Sequence, residues 1–152
     1  MIQELNIVQI GDSVLRQKAR PLLDSEILSE EIQELIQAMK TSMRGAPGIG
    51  LAAPQVGKNL QLIVIEDMEH GHLTPQQLVE RDRFKVPFHV LINPVLYIEG
   101  TETVDFFESC LSIPLLAGIV PRSSKVRVMY LDENANRVEI QAKGWYARIL
   151  QH

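Results

Sequence analysis

The sequence predicts one domain of mixed helix and strand spanning residues 1–152, and three observations carry that expectation. A helical apolar pattern occupies the first third, short runs rich in branched residues follow it, and a glycine-led helical start closes the chain. At 152 residues the chain is long enough to bury roughly two-thirds of its unfolded surface in one core without disulfides.

In chain order, Ile7 to Ile10 is a brief apolar run stopped by Gly11-Asp12, and Val14-Leu15-Arg16 with Pro21 reads as irregular lead-in. From Ser25 to Arg44, Leu28, Ile32, Leu35, Ile36, Met39 and Met43 recur at three- and four-residue steps, predicting one amphipathic helix. Asp24 or Ser25 is its expected cap, Glu26, Glu30 and Glu31 suit its positive end, and Gly45 with Pro47 stops it. Met39 and Met43 read as core filler. Leu60 to Ile65 has the composition of a buried strand. Glu66 to Pro87 is polar, with at most a turn of helix near Thr74 to Arg81; His70 and His72 at alternate positions in such a loop read as surface rather than metal ligands. Val90 to Asn93 predicts a strand ended by Pro94, which Val95 to Ile98 would continue, and Gly100 marks a turn before Thr103 to Phe107. Lys125 to Leu131 and Arg137 to Ala142, joined by Asp132 to Asn136, predict a hairpin with one wetted face. Trp145 to His152 begins a helix after Gly144.

Two stretches carry chemistry. Gly48-Ile49-Gly50-Leu51-Ala52-Ala53-Pro54-Gln55 has almost no side-chain bulk, which suits either a plain glycine-rich turn or a backbone that another chain approaches closely. Gln55 both donates and accepts hydrogen bonds, so it could orient a carbonyl. In Glu108-Ser109-Cys110-Leu111-Ser112, the cysteine reads as nucleophile, metal ligand or small buried hydrophobe, the last being the commonest fate of a lone cysteine, and the sequence alone does not decide.

Composition narrows the classes. A net charge of -4 from 15 basic and 19 acidic residues argues against a nucleic-acid partner, and the cluster Arg122, Lys125, Arg127 is too small to reverse that. Cys110 is the sole cysteine, which suits a reducing compartment. Met1 to Leu5 shows no cationic stretch ahead of a long apolar run. A cytoplasmic protein with no signal peptide, no membrane span and no DNA partner is expected.

GIGLAAPQ at 48–55, ESCLS at 108–112 and GWYARILQH at 144–152, in that order, resemble the peptide deformylases, metalloenzymes that remove the N-formyl group from new polypeptides. The polar insertion after Ile65 and the Gly144-Trp145 helix start are most similar to the organellar branch and its bacterial relatives. The resemblance implies an α+β fold in which antiparallel strands wrap a C-terminal metal-ligand helix and the N-terminal amphipathic helix packs alongside. It makes Cys110 and His152 ligands of one divalent metal, ferrous iron in the cell, with nickel, zinc or cobalt as substitutes. It makes the Gln55 side chain and the Leu111 backbone N–H the donors to the formyl oxygen, Ile49 and Gly50 the wall of the peptide groove, and Phe106, Trp145, Arg148 and Ile149 the pocket for the first side chain. N-formylmethionyl nascent peptides, met near the ribosome exit, are the implied partners.

The chain departs from the family pattern at its last helix. The glutamate that acts as general acid and base and the second ligand histidine would stand at positions 153 and 156, beyond His152. Loss of a general base removes about a hundred- to ten-thousand-fold in rate, so the 152 residues alone are expected to be impaired or inactive, as in a chain cut within that helix or a sequence that continues beyond it, and less readily as in a naturally short homologue. Ser109 replaces a frequent glycine, and Glu108 is expected to accept from backbone or an arginine. Two other classes fit the same residues: a peptide N-terminus binding module that does not cleave, and a metal-free hydrolase with Cys110 as nucleophile and His152 as base.

Overall fold

The computed structural model describes residues 4–152. The expectation taken from Met1 to Leu5 rests partly on residues outside that range. A single 3-10 turn at Ser13–Arg16 precedes α1 (Asp24–Ile27) and α2 (Glu30–Gly45). The helix expected from Ser25 to Arg44 is therefore two. Ser29 breaks it, because its hydroxyl accepts from the Ile32 N–H and donates to the Glu26 carbonyl, which caps α2 from a non-helical backbone. Ser29, not Asp24 or Ser25, is the α2 cap, and Leu28 at the break faces solvent. Ile32, Leu35, Ile36, Met39 and Met43 do form the buried stripe of α2.

The strands are β1 (Gly50–Ala52), β2 (Leu62–Asp67), β3 (Val86–Ile98), β4 (Thr103–Cys110), β5 (Ile113–Ser123), β6 (Lys125–Leu131) and β7 (Arg137–Lys143), with α3 (Pro75–Glu80) between β2 and β3 and α4 (Gly144–Gln151) after β7. One antiparallel sheet has the order β1-β2-β3-β6-β7, and β4 with β5 forms a separate two-stranded sheet. α2 covers one face of the large sheet, packing on Leu62, Val64, Val90 and Ile92. α4 lies in the second core, with Ile65, Leu91, Val126, Val128 and Ala142 around Ala147. The structure is thus α+β with a C-terminal helix embraced by strands and an amphipathic helix alongside.

Three further expectations change. Pro94 does not end its strand, because the register shifts between Ile92 and Val95 while Asn93 takes a left-handed backbone (φ 51). The Asn93 amide accepts from the Leu22 N–H and donates to the Leu22 carbonyl, both at 2.8 Å, so the bulge is tied to the incoming chain. Residues 103–123, read only as a lead-in and a motif, form the β4–β5 hairpin. His70 is not a surface residue: its side chain is 9% exposed, and its Nε2 lies 3.2 Å from Asp67 Oδ1 without hydrogen-bond alignment. Asp67 is instead held by two hydrogen bonds from Arg83, at 2.9 and 2.8 Å. His72 is exposed as expected. Among the described residues, no helix is long and apolar enough to cross a membrane.

The insertion between β2 and β3 folds back onto the start of α4. The Asp82 carbonyl accepts from the Trp145 N–H at 3.3 Å, and Gly144 sits against Asp82 with φ +57. A Cβ at 144 would collide with the Asp82 carbonyl oxygen and lie 2.6 Å from its Cβ, on a backbone that costs an L-residue about 1–2 kcal/mol. Gly144→Ala is therefore expected to destabilise by about 2 kcal/mol or more in urea denaturation. Gly71→Ala, whose Cβ would meet nothing within 4 Å, should leave the midpoint nearly unchanged.

Candidate functional site

β1 delivers the chain into a 3-10 turn at Ala53–Val56, closed by Gly57 with φ 78. There Gln55 Oε1 accepts from the Ala52 N–H at 2.9 Å. Since that N–H only donates, it fixes the orientation of the amide, and the NH2 must face the other way. Gln55 Nε2 accordingly lies 3.7 Å from Cys110 Sγ and 3.3 Å from Ser112 Oγ. The side chains of β4 alternate, with Phe106, Glu108 and Cys110 half-buried and Phe107 and Ser109 exposed. The following turn sets Leu111 against the small-residue stretch: a Cβ at Gly48 would be 2.7 Å from Leu111 Cδ1. Part of the bulk missing from residues 48–55 is thus room for Leu111.

α4 supplies the other half. Arg148 and His152 are four apart and share a face. The Arg148 side chain, 4% exposed, donates to Glu108 Oε1 at 2.6 Å, to the Val120 carbonyl at 2.8 Å and to the Val104 carbonyl. Arg122 donates twice to Glu108, at 3.0 and 2.9 Å, and His152 Nδ1 lies 2.8 Å from Glu108 Oε2. Burial pushes the Glu108 carboxyl up, but hydrogen bonds from Arg122, His152 and Arg148 outweigh it and hold the pKa down at about 2. An ionised carboxylate only accepts, so Nδ1 of His152 carries the proton of this contact and Nε2 is the ring nitrogen turned away from Glu108.

All the candidate residues except Phe106 line one cavity of about 1000 Å3, including Gln55, Cys110 and His152. Phe106 borders a second cavity of about 390 Å3, where its ring meets Trp145 edge-on at 5.7 Å. The Arg148 head group is committed to Glu108 and two carbonyls, so it borders the cavity without a free donor array facing it. Sequence reasoning missed Ser112, 3% exposed and in contact with Gln55, and Arg122 as the partner of Glu108. Arg122 lies 14 residues from Glu108, and even the β4–β5 register sets it opposite Val104, so only the reach of its side chain joins the two.

A thiol and an imidazole nitrogen are the donor types that soft and borderline divalent metals take. Cys110 and His152 supply one of each. Among the described residues, no cluster of three or more His, Cys, Asp or Glu side chains could hold a metal ion, and His70 sits with Asp67 instead.

The polypeptide deformylase family model matches residues 4–152. A chloroplastic peptide deformylase 1A of Solanum lycopersicum is 42% identical over 97% of this chain and 54% of its own length. Peptide deformylase 3 of Streptomyces avermitilis is 41% identical over 97% of this chain and 65% of its own. This chain therefore spans about half to two-thirds of the length of these curated relatives. Among solved structures, the Met-Ala-Ser-bound class I type b peptide deformylase of Acinetobacter baumannii is 30% identical with a TM-score of 0.88, covering 100% of this chain and 91% of that one. A Synechococcus elongatus peptide deformylase in complex with actinonin is 38% identical with a TM-score of 0.80, covering 100% and 75%.

Breaking a buried ion pair on one side costs about 3–5 kcal/mol. Arg148→Met leaves Arg122 on the carboxylate, so a loss near the lower end, about 3 kcal/mol, is expected in equilibrium denaturation. Arg44→Met, at the exposed Arg44–Glu66 pair, should shift the midpoint far less.

Proposed function

The chain belongs to the polypeptide deformylase family, and on that premise we propose that residues 1–152 form a deformylase-like domain that binds the N-terminus of N-formylmethionyl peptides for metal-dependent hydrolysis of the formyl group. The observation that carries this reading is the approach of the Gln55 amide N–H2 to Cys110 in the cavity that His152 also borders. The reading makes Cys110 Sγ and His152 Nε2 ligands of one divalent metal. Ferrous iron is the cellular metal in this proposal, and Ni2+, Zn2+ or Co2+ replace it in purified protein. When bound, such a metal polarises a carbonyl and acidifies water.

The chain's own residues do the rest. Glu108 fixes the His152 tautomer and ring plane from behind. The Gln55 N–H2, and in this reading the Leu111 backbone N–H, donate to the formyl oxygen and stabilise the negative charge that develops on it. Ile49 and Gly50 line the groove where an extended peptide adds as a strand. Trp145 and Ile149, with Phe106 and Arg148 behind them, shape the pocket for the first side chain. The proposed setting is the cytoplasm, close to emerging nascent chains, with neither DNA nor membrane as a partner. The general base and the second histidine would follow at 153 and 156.

The test compares the 152-residue chain with one extended through glutamate at 153 and histidine at 156, both supplied with Co2+ or Zn2+ and given N-formyl-Met-Ala-Ser. The extended chain should hydrolyse it, and the 152-residue chain should bind it yet turn it over at least about a hundredfold more slowly. In the extended chain, Gln55→Ala should lower turnover by about a hundred- to a thousandfold. Binding without hydrolysis by the extended, metal-loaded chain would favour the non-cleaving module. Activity that survives a strong chelator but is lost on thiol alkylation would favour the cysteine hydrolase.

A further inference from the structure

The two donors assigned to the formyl oxygen belong to different sheets. Gln55 follows β1 of the large sheet, whereas Leu111 lies in the turn of the separate β4–β5 pair, and no strand pairing joins them. A segment outside both sheets bridges the gap. The Val8 N–H donates to the Gln55 carbonyl at 2.8 Å, and two residues later the Ile10 N–H donates to the Ser112 carbonyl at 2.8 Å. Between them, Gln9 Nε2 donates to the Leu111 carbonyl at 3.2 Å and, two residues back along its own segment, to the Ile7 carbonyl at 3.1 Å.

We propose that Gln9, on the strap formed by residues 7–10, is a positioning residue that holds the Leu111 turn in register with Gln55, so that both donors meet one carbonyl oxygen. The assignment rests on the deformylase reading of the site.

The geometry gives each contact a distinct task. The Val8 and Ile10 bonds are main-chain, so they set the spacing between the two loops and depend little on side-chain identity. A peptide unit is planar, and anchoring the successive carbonyls of Leu111 and Ser112 leaves the turn little freedom to swing. Gln9 supplies the Leu111 anchor, the only one of the two made by a side chain. Its side chain is solvent-exposed and fills no core space, so its replacement should leave the fold intact. On the far side, Ser112 Oγ accepts from Gln55 Nε2 at 3.3 Å and closes the circuit between the loops.

Gln9→Glu keeps side-chain length and removes the donor, whereas Gln9→Lys keeps a donor. Binding of N-formyl-Met-Ala-Ser and of unformylated Met-Ala-Ser is measured by calorimetry for the parent and both variants. The expected result is that Gln9→Glu weakens the formylated peptide about two- to tenfold, leaves the unformylated one unchanged, and that Gln9→Lys behaves like the parent. Independently of any peptide, the Leu111 N–H order parameter in Gln9→Glu should fall from the rigid range, about 0.85, towards about 0.6. Equal loss on both peptides, or an unchanged order parameter at Leu111, overturns the assignment. A parent chain that shows no preference for the formylated peptide overturns the functional reading itself, an outcome the variants do not influence.

Discussion

The carboxylate of Glu108 is the point on which the rest of the site depends. Burying a charge is costly unless it is paired and hydrogen-bonded, and here donors arrive from two sides, Arg122 on β5 and, from the other, Arg148 on α4 with His152 at its C-cap. The β4–β5 hairpin shares no strand pairing with the large sheet, so beyond the backbone bond from Ile10 to Ser112 it is side-chain ties that join it to the body. Glu108 is one of these. Another is Gln151, which accepts from the Ser123 N–H at 2.9 Å and donates to the Ser123 carbonyl at 2.8 Å. Both run between the hairpin and α4, and both bear on the helix turn that ends in His152.

α4 is short, and eight residues would be marginal as an isolated helix. It persists because both ends are held. Its first turn takes the Trp145–Asp82 backbone bond from the insertion, and that insertion is itself closed by Arg83 on buried Asp67. Its middle is buried at Ala147 and Arg148, and its last turn is held by Glu108 and Ser123. The polar stretch that looked least structured in the sequence is therefore part of what aims the candidate ligand.

Periodicity made α2 and the β6–β7 hairpin legible, because each has one face towards a core and the pattern follows the face, whereas α4 was read from the helix formers that follow Gly144. The break at Ser29 was hidden because Leu28 and Ile32 keep the helical spacing across it, although only Ile32 is buried. β4 and β5 were hidden for the opposite reason. Their inward positions include Glu108 and Cys110, so apolar alternation is lost where the site is built. His70 read as surface because its burial is tertiary, made by a loop closing on Asp67. Gln55, Cys110 and His152 could be singled out only as a set, since each alone had an ordinary structural explanation. The strap at residues 7–10 showed only as a brief apolar run, with no sign of its bridging role, because it works mainly through backbone bonds.

The hydrogen-bond count at Glu108 also limits what this residue can do. An ionised carboxylate has about four lone-pair sites. Oε1 accepts from Arg122 Nε and Arg148 Nη1, and Oε2 accepts from Arg122 Nη2 and His152 Nδ1. All four are taken. Although it stands two residues from Cys110, Glu108 has no lone pair left to bind a metal and, with its pKa held at about 2, little tendency to accept a proton near neutrality. A third ligand and a proton acceptor for the proposed reaction must therefore be other groups, and the role left to Glu108 is to orient His152 and hold the hairpin to the helix.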